Sequence, residues 1–163
     1  MSFITRTPVL WTLFGLTIGL TLAFGAFAPM VGGQYLDMVS APADSRALYE
    51  AMTPAQRSAH FWLTLVLDTA YPMSFGLLFA GMGLRFFGKW GKLAAIPGLA
   101  VLIVDLTENT LQWLTLSGAA YLLEPKAWIT PLKMDLFYLG AILALAGAGI
   151  GVYRMVTKAK SKA

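Results

Sequence analysis

The sequence predicts an all-α integral membrane protein, a four-transmembrane-helix bundle with a short extracytoplasmic helix between spans 1 and 2. Three observations predict it. Of the 163 residues, 58% are hydrophobic and only 12% charged, against roughly 45–50% and about 25% in soluble domains. Four apolar stretches, about 8–30, 61–84, 93–116 and 132–153, each reach the ~20 residues that cross a ~30 Å hydrocarbon layer. The basic residues gather in short segments beside those stretches, where they signal topology.

The length suits a single transmembrane domain, 1–163, ending in a basic cytoplasmic tail, 154–163. Cysteine is absent and His60 is the single histidine. Disulfides, thiolate metal sites, cysteine nucleophiles and bis-histidine haem are therefore excluded, and no metal or cofactor is expected. The net charge of +4 is not a nucleic-acid footprint. Arg85, Lys89 and Lys92 form one basic group, and Arg154, Lys158, Lys160 and Lys162 another, each beside a span. Such groups attract anionic lipid headgroups, so membrane lipids are the first expected partners.

The first stretch is uncharged. It is longer than the ~7–15 apolar residues of a cleaved signal, and Pro29 follows its Ala26-Phe27-Ala28 triplet, so it is read as a retained helix. Thr7-Pro8, Thr53-Pro54 and Thr130-Pro131 each place a hydroxyl before a proline, the pattern of a helix start. Gln56 completes a capping box with Thr53, so the second helix can begin near Pro54. Pro72 should kink it. Asp44 or Ser45 can cap a short helix running through Met52, with Leu48, Tyr49 and Met52 on the membrane surface.

The connection between spans two and three carries three basic residues and no acid, and the tail carries four. The positive-inside rule then places both termini in the cytoplasm, in what reads as a bacterial inner membrane. Trp11, Trp62, Trp90, Trp113 and Trp128 fall mostly near span ends, as interfacial anchors do. Gly15, Gly19 and Ala23 form one row of small residues and Gly140, Ala144 and Ala148 another. Such rows mark helix contacts, within the chain, in a homo-oligomer or in a larger membrane complex.

The informative feature is polar. Asp105, Glu108, Asn109 and Gln112 fall at i, i+3, i+4 and i+7, one stripe of the third span, and such a stripe must face the bundle interior or a water-filled cavity. The second span adds Asp68, with Tyr71 at i+3. The fourth adds Asp135, with Tyr138 at i+3. Asp68, Asp105 and Glu108 should lie at nearly one depth, with Asp135 shallower, near the outer mouth. Neither the second nor the third stretch contains Lys, Arg or His, and Lys133 is assigned to the mouth beside Asp135. Burial and like-charge crowding favour neutral carboxyls, so at least one of the three deep acids is expected to be protonated.

Three functions remain open. The first is an outward-opening acidic cavity that binds a cation or a lipid-like ligand with a polar head. Its contacts would be Asp68 and Glu108, supported by Asp105, Asn109, Gln112, Tyr71, Asp135 and Tyr138. The second is an intramembrane acid/base enzyme, an isomerase or hydrolase acting on a lipid. The general plan, a small helical bundle with buried acids, is similar to that of the membrane sterol isomerase superfamily, though none of its motifs is present. The third is an accessory or assembly subunit. Taken alone, Asn109 and Gln112 are better read as hydrogen bonding between helices, and the two tyrosines as packing. His60 is read as a solvated interfacial side chain.

Overall fold

The computed structural model describes residues 3–160, with side chains to residue 158. It is 89% helical, and no strand occurs among the described residues. Helix α1, Thr7–Phe27, runs into a tight turn, Ala28–Val31. Gly32 and Gly33 follow at φ 87° and 88°, a left-handed conformation that glycine adopts without a Cβ penalty. Helix α2 is Pro42–Ala51, α3 is Pro54–Phe86, α4 is Gly91–Leu116 and α5 is Leu123–Lys160. All but α2 are long and apolar enough to cross a membrane.

The distribution of side chains suits lipid rather than water. Leu22, Leu145 and Trp128 are each at least 70% exposed, whereas Lys126, Glu108 and Gln112 are wholly buried. Four of the five tryptophans, all but Trp113, face outward. Apolar surface on the rim and polar groups within is the arrangement that a bilayer stabilises.

Helices α3 and α4 form the central pair because glycine lets their backbones touch. A Cβ on Gly98 would lie 2.6 Å from the Ala80 nitrogen, and one on Gly83 2.7 Å from the Ala94 carbonyl carbon. Helix α5 closes the bundle, with Gly140 seated on Phe79 and Gly151 on Phe86. Phe75, Phe79 and Phe137 stack edge-on at the centre. Helix α1 rests mainly on α3, where the Thr17 hydroxyl donates to Ser74 at 3.1 Å and Thr21 meets Tyr71 at 3.0 Å. The α5 row of small residues is thus a contact within the chain, whereas Gly15 and Gly19 face open space.

Several expected boundaries move. Thr53 and Gln56 do form the capping box. Thr7 is already helical, with Arg6 as the uncapped first flank. Thr130-Pro131 starts nothing. Helix α5 begins seven residues earlier, at Leu123, and runs through both residues. Helix α2 starts at Pro42 rather than at Asp44 or Ser45, because proline suits the first turn without a cap. Its Leu48, Tyr49 and Met52 do not lie on a membrane surface. They pack on Leu36, Phe61, Leu116 and Leu123 and close one end of the bundle, here termed the cap end. Of the tail, 154–160 continues α5, and Lys162 lies outside the described residues.

The packing predicts an asymmetry between glycines. Gly98→Val should lower the unfolding free energy by about 1–3 kcal/mol or more, since backbone atoms block the new side chain. Gly19→Ala, in open space, should leave it unchanged or raise it by about 0.5–1 kcal/mol. Denaturant titration in mixed micelles reads both.

Candidate functional site: a roofed ion cluster

Pro72 organises the α3 side of the site. It has no N–H to offer the carbonyl four residues back, Asp68. The helix widens into a π turn over Thr64–Asp68, and the Asn109 amide of α4 donates to the freed Asp68 carbonyl at 2.6 Å. A local defect in α3 is thereby satisfied by a polar residue of its neighbour, which locks Asp68 opposite the α4 stripe. π turns of this kind recur at functional sites.

The stripe itself is buried as its spacing requires. Asp105, Glu108, Asn109 and Gln112 all face inward. The partner they meet differs from expectation. Lys126, Thr130 and Lys133 occupy i, i+4 and i+7 of α5 and are all buried. Lys133 Nζ lies 2.6 Å from Glu108 Oε2 and 3.7 Å from Asp105 Oδ1. Lys126 Nζ lies 3.4 Å from Glu108 Oε1, which also accepts from the Thr130 hydroxyl at 2.5 Å. Two of the three deep acids, Asp105 and Glu108, therefore do have basic partners. The early start of α5 carries both lysines into the bundle instead of leaving them at a mouth or in a loop.

A fourth acid enters from the segment between α1 and α2. Asp37 Oδ2 lies 3.7 Å from Lys133 Nζ. Beside it, the carbonyls of Leu36 and Val39 accept from Lys126 Nζ, which also pairs with Glu108. The Leu36 N–H donates to His60 Nε2 at 3.1 Å, and His60 Nδ1 meets the Thr64 hydroxyl at 3.2 Å. Because Nε2 accepts, His60 is a neutral ring with its proton on Nδ1. It is buried, not solvated. The cap is thus tied to all three helices beneath it, and the outward opening expected at this end is roofed over.

Other candidates fall outside. Asp135 and Tyr138 are exposed on the far face of α5. Tyr71 turns toward α1, against Phe24 and Phe75. Glu124 stays at the surface and pairs with Arg46 at 3.0 Å, an exposed contact worth ~0–1 kcal/mol. Tyr35, in contrast, reaches the margin of the site. Burial, then the charges of Asp37 and Asp68, push its phenol above its ordinary value.

Two features set the chemistry. Asp37, Asp68, Asp105 and Glu108 are four carboxyls within electrostatic reach of one another, and they face two lysines. Asp68 is 4% exposed and takes part in no side-chain hydrogen bond or ion pair among the described residues. Nearby, Asn109 Oδ1 and both polar atoms of the Gln112 amide are buried without a hydrogen-bond partner. Each such group costs about 1–3 kcal/mol if left bare. No group of three or more His, Cys, Asp or Glu arranged to hold a metal occurs among the described residues.

No family model, curated protein or solved structure matches the chain.

Breaking the lysine pair should be costly. Lys133→Met strands Glu108 and Asp105 as buried charge, so the unfolding free energy should fall by about 3–5 kcal/mol. Adding Glu108→Gln should return part of it, with a coupling of about 0.5–3 kcal/mol. Additive losses in the double-mutant cycle would show that the two side chains do not interact.

Proposed function

We propose that this protein binds a small cationic ligand, or a lipid-like molecule with a cationic head, inside the bundle, with Asp68 as counter-ion. The carrying observation is the division of labour among the acids. Lys126 and Lys133 engage Glu108 and Asp105, and Asp68 is left without a cation. With all four acids ionised against two ammonium groups, the cluster holds two negative charges in excess. Protons or a ligand cation must supply the balance, because uncompensated charge is expensive in this setting. Asn109 Oδ1 and Gln112 Oε1 are further acceptors for an ammonium group, and Gln112 Nε2 is a donor for a hydroxyl or carbonyl beside it. The most exposed member of the cluster is Asp37, which favours entry through the margin of the roof, between Tyr35 and Lys133.

One contact favours a second reading, acid–base chemistry on a bound lipid. Lys133 Nζ and Glu108 Oε2 stand 2.6 Å apart, a donor and an acceptor within proton-transfer distance. The two readings part on Asp68→Asn and Glu108→Gln. In native mass spectrometry of protein extracted with its lipids, a retained non-protein mass should be lost in Asp68→Asn and kept in Asp135→Asn. Retention in Asp68→Asn would remove the counter-ion role. Retention in Glu108→Gln with loss of turnover would favour the enzyme.

The protein is proposed to lie in a bacterial inner membrane with both termini cytoplasmic, on the strength of the basic connection 85–92 and tail. Because cysteine is absent, single replacements report directly. Ala119→Cys at the cap end should react with an impermeant maleimide in intact cells, and Lys89→Cys only after lysis. The reverse pattern would invert the topology.

A further inference from the structure

At the end of the bundle opposite the cap, a groove of about 400 Å³ runs between the start of α4 and the middle of α5. Phe87, Trp90, Ile96, Pro97, Leu139 and Leu143 line it, and its surface is almost wholly apolar. Trp90, Ile96 and Leu139 are also exposed, so the groove opens sideways, where an acyl chain would lie. From Trp90 to Pro97 it follows about 10 Å of helix, starting at the basic connection.

That starting point carries the charge. Lys89 Nζ stands 5.5 Å from the centre of the Trp90 ring, at the mouth of the groove. Lys92 lies three residues after Lys89, at the first turn of a 26-residue helix whose N-terminus itself favours an anion. Both lysines are exposed and neither is in an ion pair among the described residues. Arg85 is already engaged, donating to the Thr5 carbonyl at 3.1 Å. The connection 85–92 contains no acid.

We infer that this groove is a binding site for an anionic phospholipid, with one acyl chain along Ile96, Pro97, Leu139 and Leu143 and the phosphate at Lys89 and Lys92. A neutral protein helix would use the apolar wall and have no use for the two free ammonium groups at its end. A lipid phosphate uses both. The inference rests on the chain lying in a bilayer and is independent of the ion cluster. If the bilayer reading fails, the protein will not partition into membranes at all.

The test is native mass spectrometry of delipidated wild-type protein in detergent micelles. It is titrated with phosphatidylglycerol or with phosphatidylcholine of identical chains. Several-fold more phosphatidylglycerol adduct is expected. Lys89→Gln with Lys92→Gln should bring it down to the phosphatidylcholine level, and both replacements are at exposed positions. Leu143→Trp, which fills the groove, should lower both adducts. Each variant is compared at matched unfolding midpoint. Equal binding of the two lipids to wild type, or persistence of the preference in the double variant, would overturn the assignment. So would full binding to Leu143→Trp, or equal occupancy by glycerol phosphate, which has no chain.

Discussion

The arrangement depends on bringing two ammonium groups and several carboxyls together where neither could remain alone. A lone ionised acid at the centre of a span costs ~2.5–3.5 kcal/mol on insertion scales. Glu108 avoids this by ion pairing with Lys133 at one oxygen and with Lys126 at the other, which also accepts from Thr130. Such a network need not add net stability over an apolar core of equal volume. What it does is fix geometry. Lys126 reaches beyond Glu108 to the Leu36 and Val39 carbonyls, so the same charge that balances α4 also seats the cap. Moving the cap would expose or orphan a lysine. Cap position and cluster integrity are therefore one property of the molecule.

The α3 side follows a different logic. Pro72 removes a backbone donor and the π turn redistributes the strain, but the Asp68 carbonyl still needs a partner. Asn109 supplies it. The side chain of Asp68 then projects beside the lysine network without joining it. A carboxyl that is held by its backbone and unused by its own fold differs from Asp105 and Glu108, whose oxygens serve the scaffold. That difference is the reason to place a ligand at Asp68 rather than at the cluster as a whole.

Much of this was legible in the linear chain. Helix number, the capping box at Thr53 and the inward face of Asp105, Glu108, Asn109 and Gln112 follow from apolar runs and helical spacing. The lysines did not, and one boundary explains why. A helix starting at Thr130-Pro131 would leave Lys126 in the preceding connection and Lys133 at the mouth, beside Asp135. Proline is tolerated inside α5, so the helix begins at Leu123 and its phase shifts the partnership. The signal was present: Lys126, Thr130 and Lys133 have the i, i+4, i+7 spacing that made the α4 stripe visible. A polar stripe on one apolar helix implies a complementary stripe on another, and only α5 carried one of opposite charge. Asp37 and the roof over the cluster had no such signal, because loop carbonyls and a loop acid find their partners only through tertiary packing.

The two ends of the bundle differ in chemistry for a common reason. At the cap end, polar groups are withdrawn from the apolar rim and much of their charge is matched by one another, and the Asp68 carboxyl and the Asn109 and Gln112 amides are among the groups left over. At the basic end, nothing is withdrawn. Lys89 and Lys92 stay at the surface because the loop offers no acid to pair with them, and no segment among the described residues covers the apolar wall beside them. Buried charge must be matched inside the protein, whereas interfacial charge can be matched by whatever the membrane supplies. A polypeptide with eight acidic and twelve basic residues has spent half of its acids on this cluster, and it leaves Lys89 and Lys92 exposed and outside any ion pair among the described residues.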